Sequence, residues 1–250
     1  EDVVRVAGTV HERVAGLDRR PVETDVPEVV LAARVGAAAD IHQHAARERV
    51  KHALGCALEQ LLLGHYRRLQ SDAPYAPDGI QIANRSLRNT CLGYLVAADA
   101  AHLALAVDQF QSAVNMTDRL AALREIAFHA DEQLRDATLD GFYREWRHEV
   151  LVVNQWFQLQ AAIPDGLALS RVQALLSHPD FELRNPNKVR ALVGGFASQN
   201  PINFHRLDGA GYRLLGDVVL QLNGLNPQIA SRLLTPLTKW RNYTGRQRLM

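Results

Sequence analysis

Apolar residues recur every three or four positions along nearly the whole of this 250-residue chain, and no stretch keeps the two-residue alternation of a half-buried strand. That period confines the fold to packed helices. Val3, Val6, Val10, Val14 and Leu17 mark a first amphipathic helix, and a second is predicted from about Pro27 to Ala39. Residues 40–70 read as one or two helices whose apolar face carries Leu54, Leu58, Leu61 and Leu62. Further helices are expected near 80–97, 99–113, 117–129, 131–147, 149–162, 167–176, 187–197, 211–223 and 227–238. Composition agrees: Ala and Leu dominate while aromatics are only 6%, and these two residues cost least in a helix.

The breaks between helices are as legible as the helices. Residues 72–79 contain Pro74, Pro77 and Gly79 and form a loop, the one candidate for a subdomain boundary in an otherwise single helical domain spanning 1–250. Three Asn-Pro pairs, Asn185-Pro186, Asn200-Pro201 and Asn226-Pro227, punctuate the last third. Asn is a strong N-cap, and Pro suits the first helical turn, where its missing N–H has no partner to lose. Asn115 with Asp118 three residues on resembles a capping box ahead of Leu120, Leu123 and Ile126. Many helices of 10–18 residues with short connections imply antiparallel pairs. The expected fold class is therefore all-α, an α-α superhelix or solenoid-like array of helix pairs without a fixed sequence period.

Charge excludes more than it suggests. Charged residues are 22% of the chain and sum to +1, which gives no basis for a broad nucleic-acid or membrane surface. No apolar run reaches the roughly 18 residues a membrane span needs. Cys56 and Cys91 each sit in an apolar helical pattern and are expected to be buried, reduced thiols. The sequons at Asn84, Asn115 and Asn242 are read as chance. The first residue is Glu, and Arg246 to Met250 end a helical-looking stretch without a stop signal. Both ends are expected to be cut ends of a longer polypeptide, and the function of the piece to be incomplete.

Each catalytic pattern tested lacks a required residue. A helical zinc peptidase uses His-Glu-x-x-His, which places two His ligands on one helix face and a Glu beside the metal-bound water. His11-Glu12 and His148-Glu149 both lack the second His. His44, Glu48 and His52, with His42 nearby, could share a helix face. Three residues over two turns of one helix converge poorly on one ion, and Arg47, Arg49 and Lys51 oppose a cation, so the set reads as a solvated polar face. Gly209-Ala210-Gly211 has no preceding strand and no third Gly at phosphate-loop spacing, so it reads as a turn entering a helix. Lys239, Trp240, Arg241, Tyr243, Arg246 and Arg248 mix cations with aromatics, a pattern that can bind single strands. A helix end whose dipole favours cations explains them more simply.

Several ordered blocks nonetheless carry a resemblance. Asn-Pro-Asn-Lys-Val-Arg-Ala-Leu-Val-Gly-Gly-Phe-Ala at 185–197 leads to Asn200-Pro201, Phe204-His205 and Asp208-Gly-Ala-Gly-Tyr212, then to Leu225-Asn-Pro-Gln-Ile-Ala-Ser-Arg-Leu233 and Pro236-Leu237. Upstream stand Ser86-Leu-Arg-Asn-Thr-Cys-Leu92, Asn115-Met-Thr-Asp118 and Leu151-Val-Val-Asn-Gln-Trp-Phe-Gln-Leu-Gln160. From about residue 80 onward the chain resembles the C-terminal domain of bacterial aminopeptidase N, a zinc gluzincin metallopeptidase family. Residues 1–79 fit by position and helical character.

The resemblance implies a helical superhelix that closes over a separate catalytic domain of the same polypeptide and walls the cavity through which peptides reach the zinc. The zinc and its ligands belong to that other domain, so this chain is expected to have no catalytic residue, no metal site and no activity alone. The implied location is cytoplasmic, without nucleic-acid or membrane partners. The positions matching the family's channel-lining polar residues are Arg190, Gln228 and Arg232. Gln228 and Arg232 are four apart on one helix face, and Arg carries a planar fork suited to peptide carbonyls or carboxylates. Without the resemblance, the same helices would read as a stand-alone helical-repeat scaffold that binds a protein or peptide.

Overall fold

The computed structural model describes residues 39–71 and 73–243, with side chains from residue 44 on. The helices predicted at 3–17 and 27–39, the side chain of His42 and the basic residues Arg246 and Arg248 lie outside the described residues. The described residues belong to one compact unit.

Every regular element among the described residues is helical. The first half comprises α1 (Ala39–Ala57), α2 (Glu59–Arg68), α3 (Gly79–Ala98), a 3-10 turn (Ala100–His102), α4 (Leu103–Ser112) and α5 (Met116–His129). Then come α6 (Glu132–Trp146), α7 (Val150–Ala162) and α8 (Ala168–Leu176). The last third holds α9 (Pro186–Val189), a π-helical turn (Arg190–Gly194), α10 (Gly195–Gln199), α11 (Pro201–Phe204), α12 (Ala210–Asn223), α13 (Pro227–Leu233) and a 3-10 helix (Thr235–Asn242). Consecutive helices pack on one another from α4 through α8, which makes an all-α superhelix of antiparallel pairs, and α1 and α2 both lie on α3.

The caps explain the boundaries. Asn185, Asn200 and Asn226 each accept a backbone N–H through the side-chain oxygen, from Asn187 (3.0 Å), Asn203 (3.4 Å) and Ile229 (3.2 Å), with Pro at the start of each helix. Asp78 and Asp131 cap α3 and α6 in the same way. Asn115 accepts from Asp118 N at 2.9 Å, but the return bond of a capping box is absent. Asp118 instead takes a bond from the Asn115 side-chain amide (2.9 Å).

That difference has a cause: Asp118 is buried and anchors a polar network. Its carboxylate also accepts from Asn89 Nδ2 at 2.8 Å and pairs with Arg88 at 3.5 Å. Gln109 donates to the Asp118 carbonyl (2.9 Å) and to Asn89 Oδ1 (2.8 Å), and accepts from the Tyr66 hydroxyl (3.1 Å). One connected set of bonds thus ties α2, α3, α4 and α5 around a small core of Cys91, Leu92, Leu95, Ala122 and Ile126. The larger core runs from Leu123 to Leu233, and Trp156 is at its aromatic centre, stacked on Tyr143 at 4.7 Å with its indole N–H on the Leu139 carbonyl at 3.0 Å.

Two expectations need correcting. Leu54, Leu58 and Leu61 do not face the core but are exposed, while Leu62 is half-buried. Cys91 is buried, and burial pushes its thiol pKa up, whereas Cys56 is exposed. On α1 the contact is made by Gly55, where a Cβ would sit 2.4 Å from the Tyr94 carbonyl oxygen, so α1 crosses α3 at this glycine while its neighbours Leu54 and Cys56 are exposed.

Glycine also fixes the far end. Gly209 holds φ 69°, a left-handed conformation that favours glycine, and ends the turn before α12. Gly211 lies against α11, where a Cβ would come within 2.3 Å of the Phe204 carbonyl oxygen. The turn foreseen at 209–211 is therefore a fixed, close-packed corner. Gly211→Ala should lower stability by about 1–3 kcal/mol. Gly216→Ala, on an open part of α12, should be neutral or stabilising by up to about 1 kcal/mol. Chemical denaturation of the two variants checks the contrast.

An acid-sensitive tie joins α1 to α5. Buried Glu125 lies 3.8 Å from Lys51 Nζ and 3.5 Å from His129 Nε2, in space that Gly93 leaves open. Burial pushes its carboxyl pKa up, but the His129 hydrogen bond and the Lys51 charge outweigh burial and hold it below the usual range. A carboxyl with a depressed folded pKa stabilises above its unfolded value, about 4.3, and loses that stabilisation as pH falls through the folded value. Urea unfolding between pH 7 and pH 3 should therefore show stability falling below about pH 4.5. Glu125→Gln should make that fall shallower but not remove it, because Asp165, also held low by Arg171 and Arg135 against its burial, titrates in the same direction.

Candidate functional site

The structure places the last third of the chain around one cavity of about 350 Å³. One wall is the π-helical turn with α10, which contributes Arg190, Ala197 and Ser198. The opposite wall is α13, with Ile229, Arg232 and Leu233, and the 3-10 helix adds Lys239 at the rim. His205 and Tyr243 close the end, their rings stacked at 3.3 Å, and His205 Nδ1 is 2.7 Å from the Tyr212 hydroxyl.

Local chemistry sets each wall. Asn185-Pro186 starts α9, and one turn later the backbone widens into the π-helical turn. Such turns insert a residue into the helical register and are frequent at functional sites. Arg190 is the first residue of that turn, and its guanidinium donates to the Asn187 side-chain oxygen. Gly194 and Gly195 follow. Gly195 faces α7, where a Cβ would meet Gln158 at 3.4 Å. Asn226-Pro227 starts α13, and one turn of helix carries Arg232 to the cavity while Ile229 and Leu233 are buried. Pro236 stands at the start of the 3-10 helix that carries Lys239.

The junction between the walls is held by Asn200, which is fully buried. Its amide nitrogen donates to the carbonyls of Ala161 (3.0 Å) and Ile163 (2.8 Å), the open end of α7. Its oxygen accepts from the Asn203 backbone and side chain, which caps α11. One side chain thus ties α7 to the α10–α11 corner.

The cavity is electropositive. None of its lining residues is acidic, and among the described residues neither Arg232 nor Lys239 has an acidic partner. Elsewhere arginines find carboxylates: Arg135 and Arg171 meet at Asp165 (2.8 and 2.6 Å), and Arg206 pairs with Asp208 at 2.7 Å. The arrangement can bind an anion or carbonyl oxygens.

Of the three residues singled out in the sequence, Arg190 and Arg232 share this cavity, and Gln228 is exposed outside its lining. Lys239 was read only as part of a basic helix end, because the 3-10 helix that swings it to the rim leaves no periodic signature. The set His44, Glu48 and His52 does not converge: His52 faces the Ala97 carbonyl at 3.1 Å, and among the described residues no group of three His, Cys, Asp or Glu could hold a metal ion. His148 and Glu149 are exposed and 4.0 Å apart. Among the described residues no helix is long and apolar enough to cross a membrane.

A stack of antiparallel helix pairs defines a helical-repeat domain, and comparison with known proteins gives it a family. A family profile described as "Domain of unknown function (DUF3458_C) ARM repeats" matches residues 26–250. The chain is 39% identical over 201 residues to aminopeptidase N of Caulobacter vibrioides, 80% of this chain and 23% of that protein. It is 44% identical over 170 residues to aminopeptidase N of Haemophilus influenzae (68% and 19%), and 41% identical over 204 residues to that of Escherichia coli (80% and 23%). Among solved structures, a crystal structure of Legionella pneumophila aminopeptidase A in complex with aspartic acid superposes with a TM-score of 0.76 at 30% identity, covering 91% of this chain and 28% of that one. The chain belongs to the DUF3458_C ARM-repeat family, the C-terminal helical domain of aminopeptidase N. It spans about a fifth of the length of the curated relatives it matches.

Asn200→Ala should destabilise the protein by about 2–4 kcal/mol, because it leaves two buried carbonyls unpaired and uncaps α11. Thermal or chemical unfolding measures this. A loss under about 0.5 kcal/mol, the scale of an ordinary surface substitution, would contradict the role given to Asn200.

Proposed function

We propose that this chain is the single helical C-terminal domain of a zinc aminopeptidase. In that role it caps the catalytic domain of the same polypeptide and walls the cavity through which peptides approach. The observation that carries this reading is the cavity itself: Arg190 and Arg232, drawn from two helices that the family-like Asn-Pro blocks begin, line one electropositive space. Guanidinium forks there suit the carbonyl oxygens and carboxylates of a peptide chain.

On this reading the whole enzyme removes N-terminal residues from peptides in the cytoplasm. On the same reading a zinc ion would be held by the catalytic domain, where it would supply Lewis-acid chemistry. The part this reading gives the residues of this chain is to bind and orient. A peptide whose reacting end sits at the zinc would extend its downstream part along Arg190 and Arg232, and this binding would fix how long a peptide is accepted. Gln228, one turn before Arg232 on α13, contributes at the mouth.

In the full-length enzyme, Arg232→Ala should raise KM for peptides or change the length preference, with kcat/KM falling about 10- to 100-fold for the longest substrates, the scale of a lost charge-assisted hydrogen bond. The melting temperature should be nearly unchanged, because Arg232 is exposed. Steady-state kinetics over peptides of two to eight residues tests this. Identical kinetics at every length would refute a substrate-facing role for Arg232.

A further inference from the structure

Cys56 is exposed on the last turn of α1, and His52, also exposed, lies one turn before it on the same face. The thiol sulfur is 3.6 Å from His52 Nδ1 and 3.9 Å from His52 Nε2. His52 Nδ1 is also 3.1 Å from the Ala97 carbonyl oxygen. A carbonyl only accepts, so Nδ1 carries the ring proton and donates it there, and Nε2 keeps its lone pair. Metal-binding histidines are commonly set in this way: one ring nitrogen donates to a carbonyl, which fixes the tautomer, and the other binds the ion. The thiol in turn donates to the Ala98 carbonyl at 3.8 Å. The last two carbonyls of α3 thus hold both side chains.

Distance and charge both suit a cation here. Zinc bonds of about 2.1 Å to nitrogen and about 2.3 Å to sulfur place the two ligand atoms about 3.5 Å apart at the tetrahedral angle. The 3.9 Å between Nε2 and the sulfur is a small side-chain rotation away from that. α1 ends at Ala57 and α3 at Ala98, so the negative ends of two helix dipoles meet at this point and favour positive charge. Lys51, the nearest cation in sequence, is drawn away to Glu125 on α5 at 3.8 Å. Among the described residues no third His, Cys, Asp or Glu joins the pair, so water completes the coordination.

We propose that His52 and Cys56 form a two-ligand site for a thiophilic divalent cation of the zinc class. Nitrogen and sulfur together select such ions over magnesium and calcium, which take oxygen ligands. Binding forms one metal–nitrogen and one metal–sulfur bond, displaces two waters from the ion and releases the thiol proton to solvent. Ligands one turn apart reach the same ion only while that turn is helical. The ion therefore also fastens the end of α1, where Gly55 meets α3. Neither ligand lines the cavity of Arg190 and Arg232.

The test is a cobalt titration of the reduced full-length protein, read by the sulfur-to-cobalt charge-transfer band in the near ultraviolet. The spectrum of the wild type minus that of Cys56→Ser should leave a band that saturates at one equivalent of cobalt, and added zinc should displace it. His52→Ala should weaken the cobalt affinity read from this band at least about tenfold. His52→Cys, which offers a thiolate at the same place, should restore it. Both side chains are exposed, so the variants should melt with the wild type when no cobalt is added. No difference band between wild type and Cys56→Ser would overturn the proposal. Equal affinity in wild type and His52→Ala would overturn it too, by reducing the site to a single thiol.

Discussion

The amide of Asn200 is the constraint on which the functional end of this domain rests. A helix that ends inside a protein leaves carbonyls without partners, and each such group buried unpaired costs about 1–3 kcal/mol. Here α7 ends against the rest of the core, and the two bonds from Asn200 satisfy Ala161 and Ile163. The same residue must then start α11, since its oxygen is the cap for Asn203. Once the end of α7 and the α10–α11 corner share a side chain, the π-helical turn before α10 is fixed on α7, and with it Arg190. The corner also sets the floor on which α12 begins, where Gly211 touches Phe204. From α12 the chain returns through α13 to bring Arg232 opposite. The cavity therefore follows from satisfying a helix end, and its cations stand on a rigid frame.

The first half of the unit uses the same logic with a charge. Asp118 could be buried only because Asn89, Asn115 and Arg88 all give it donors, and burial of a carboxylate without such partners is prohibitive. Gln109, with its amide bonded on both sides, passes the network on to Tyr66. Both networks specify which helix lies beside which, a task that the many interchangeable Ala and Leu contacts do poorly. Phe110, packed against both apolar cores, is where the two halves share side-chain packing.

Much of this was legible in the sequence, for reasons that differ by feature. Helix positions followed from apolar period, and the Asn-Pro starts followed because a cap is a bond between near neighbours in sequence. The π-helical turn was not legible: 187–197 reads as one helix, since widening by one residue leaves the apolar spacing almost unchanged. The predicted helix at 227–238 breaks at Leu233 into a 3-10 helix, and that change of pitch moves Lys239 to the cavity. The period of Leu54, Leu58 and Leu61 revealed that they share a face but not what covers it. For Leu54 the structure answers it: α1 meets α3 at Gly55, and Leu54 beside it is exposed. Arg190 and Arg232 were visible only through a family resemblance, because two exposed arginines 42 positions apart carry no pattern of their own.

The division of labour proposed here suits the fold. What the cavity offers is positive charge from Arg190, Arg232 and Lys239. Binding at a distance from the reacting bond needs permanent charge held on a stiff frame, because a side chain that must be ordered on binding spends about 0.5–1.5 kcal/mol in entropy. Guanidinium groups on helix walls meet that need: they stay charged at every physiological pH, and Arg190 is already held by Asn187. Interactions made far from the chemistry can position the reacting end of a substrate. On the proposed reading, a helical wall that carries fixed cations would thus influence which peptides are cut without touching the bond that breaks.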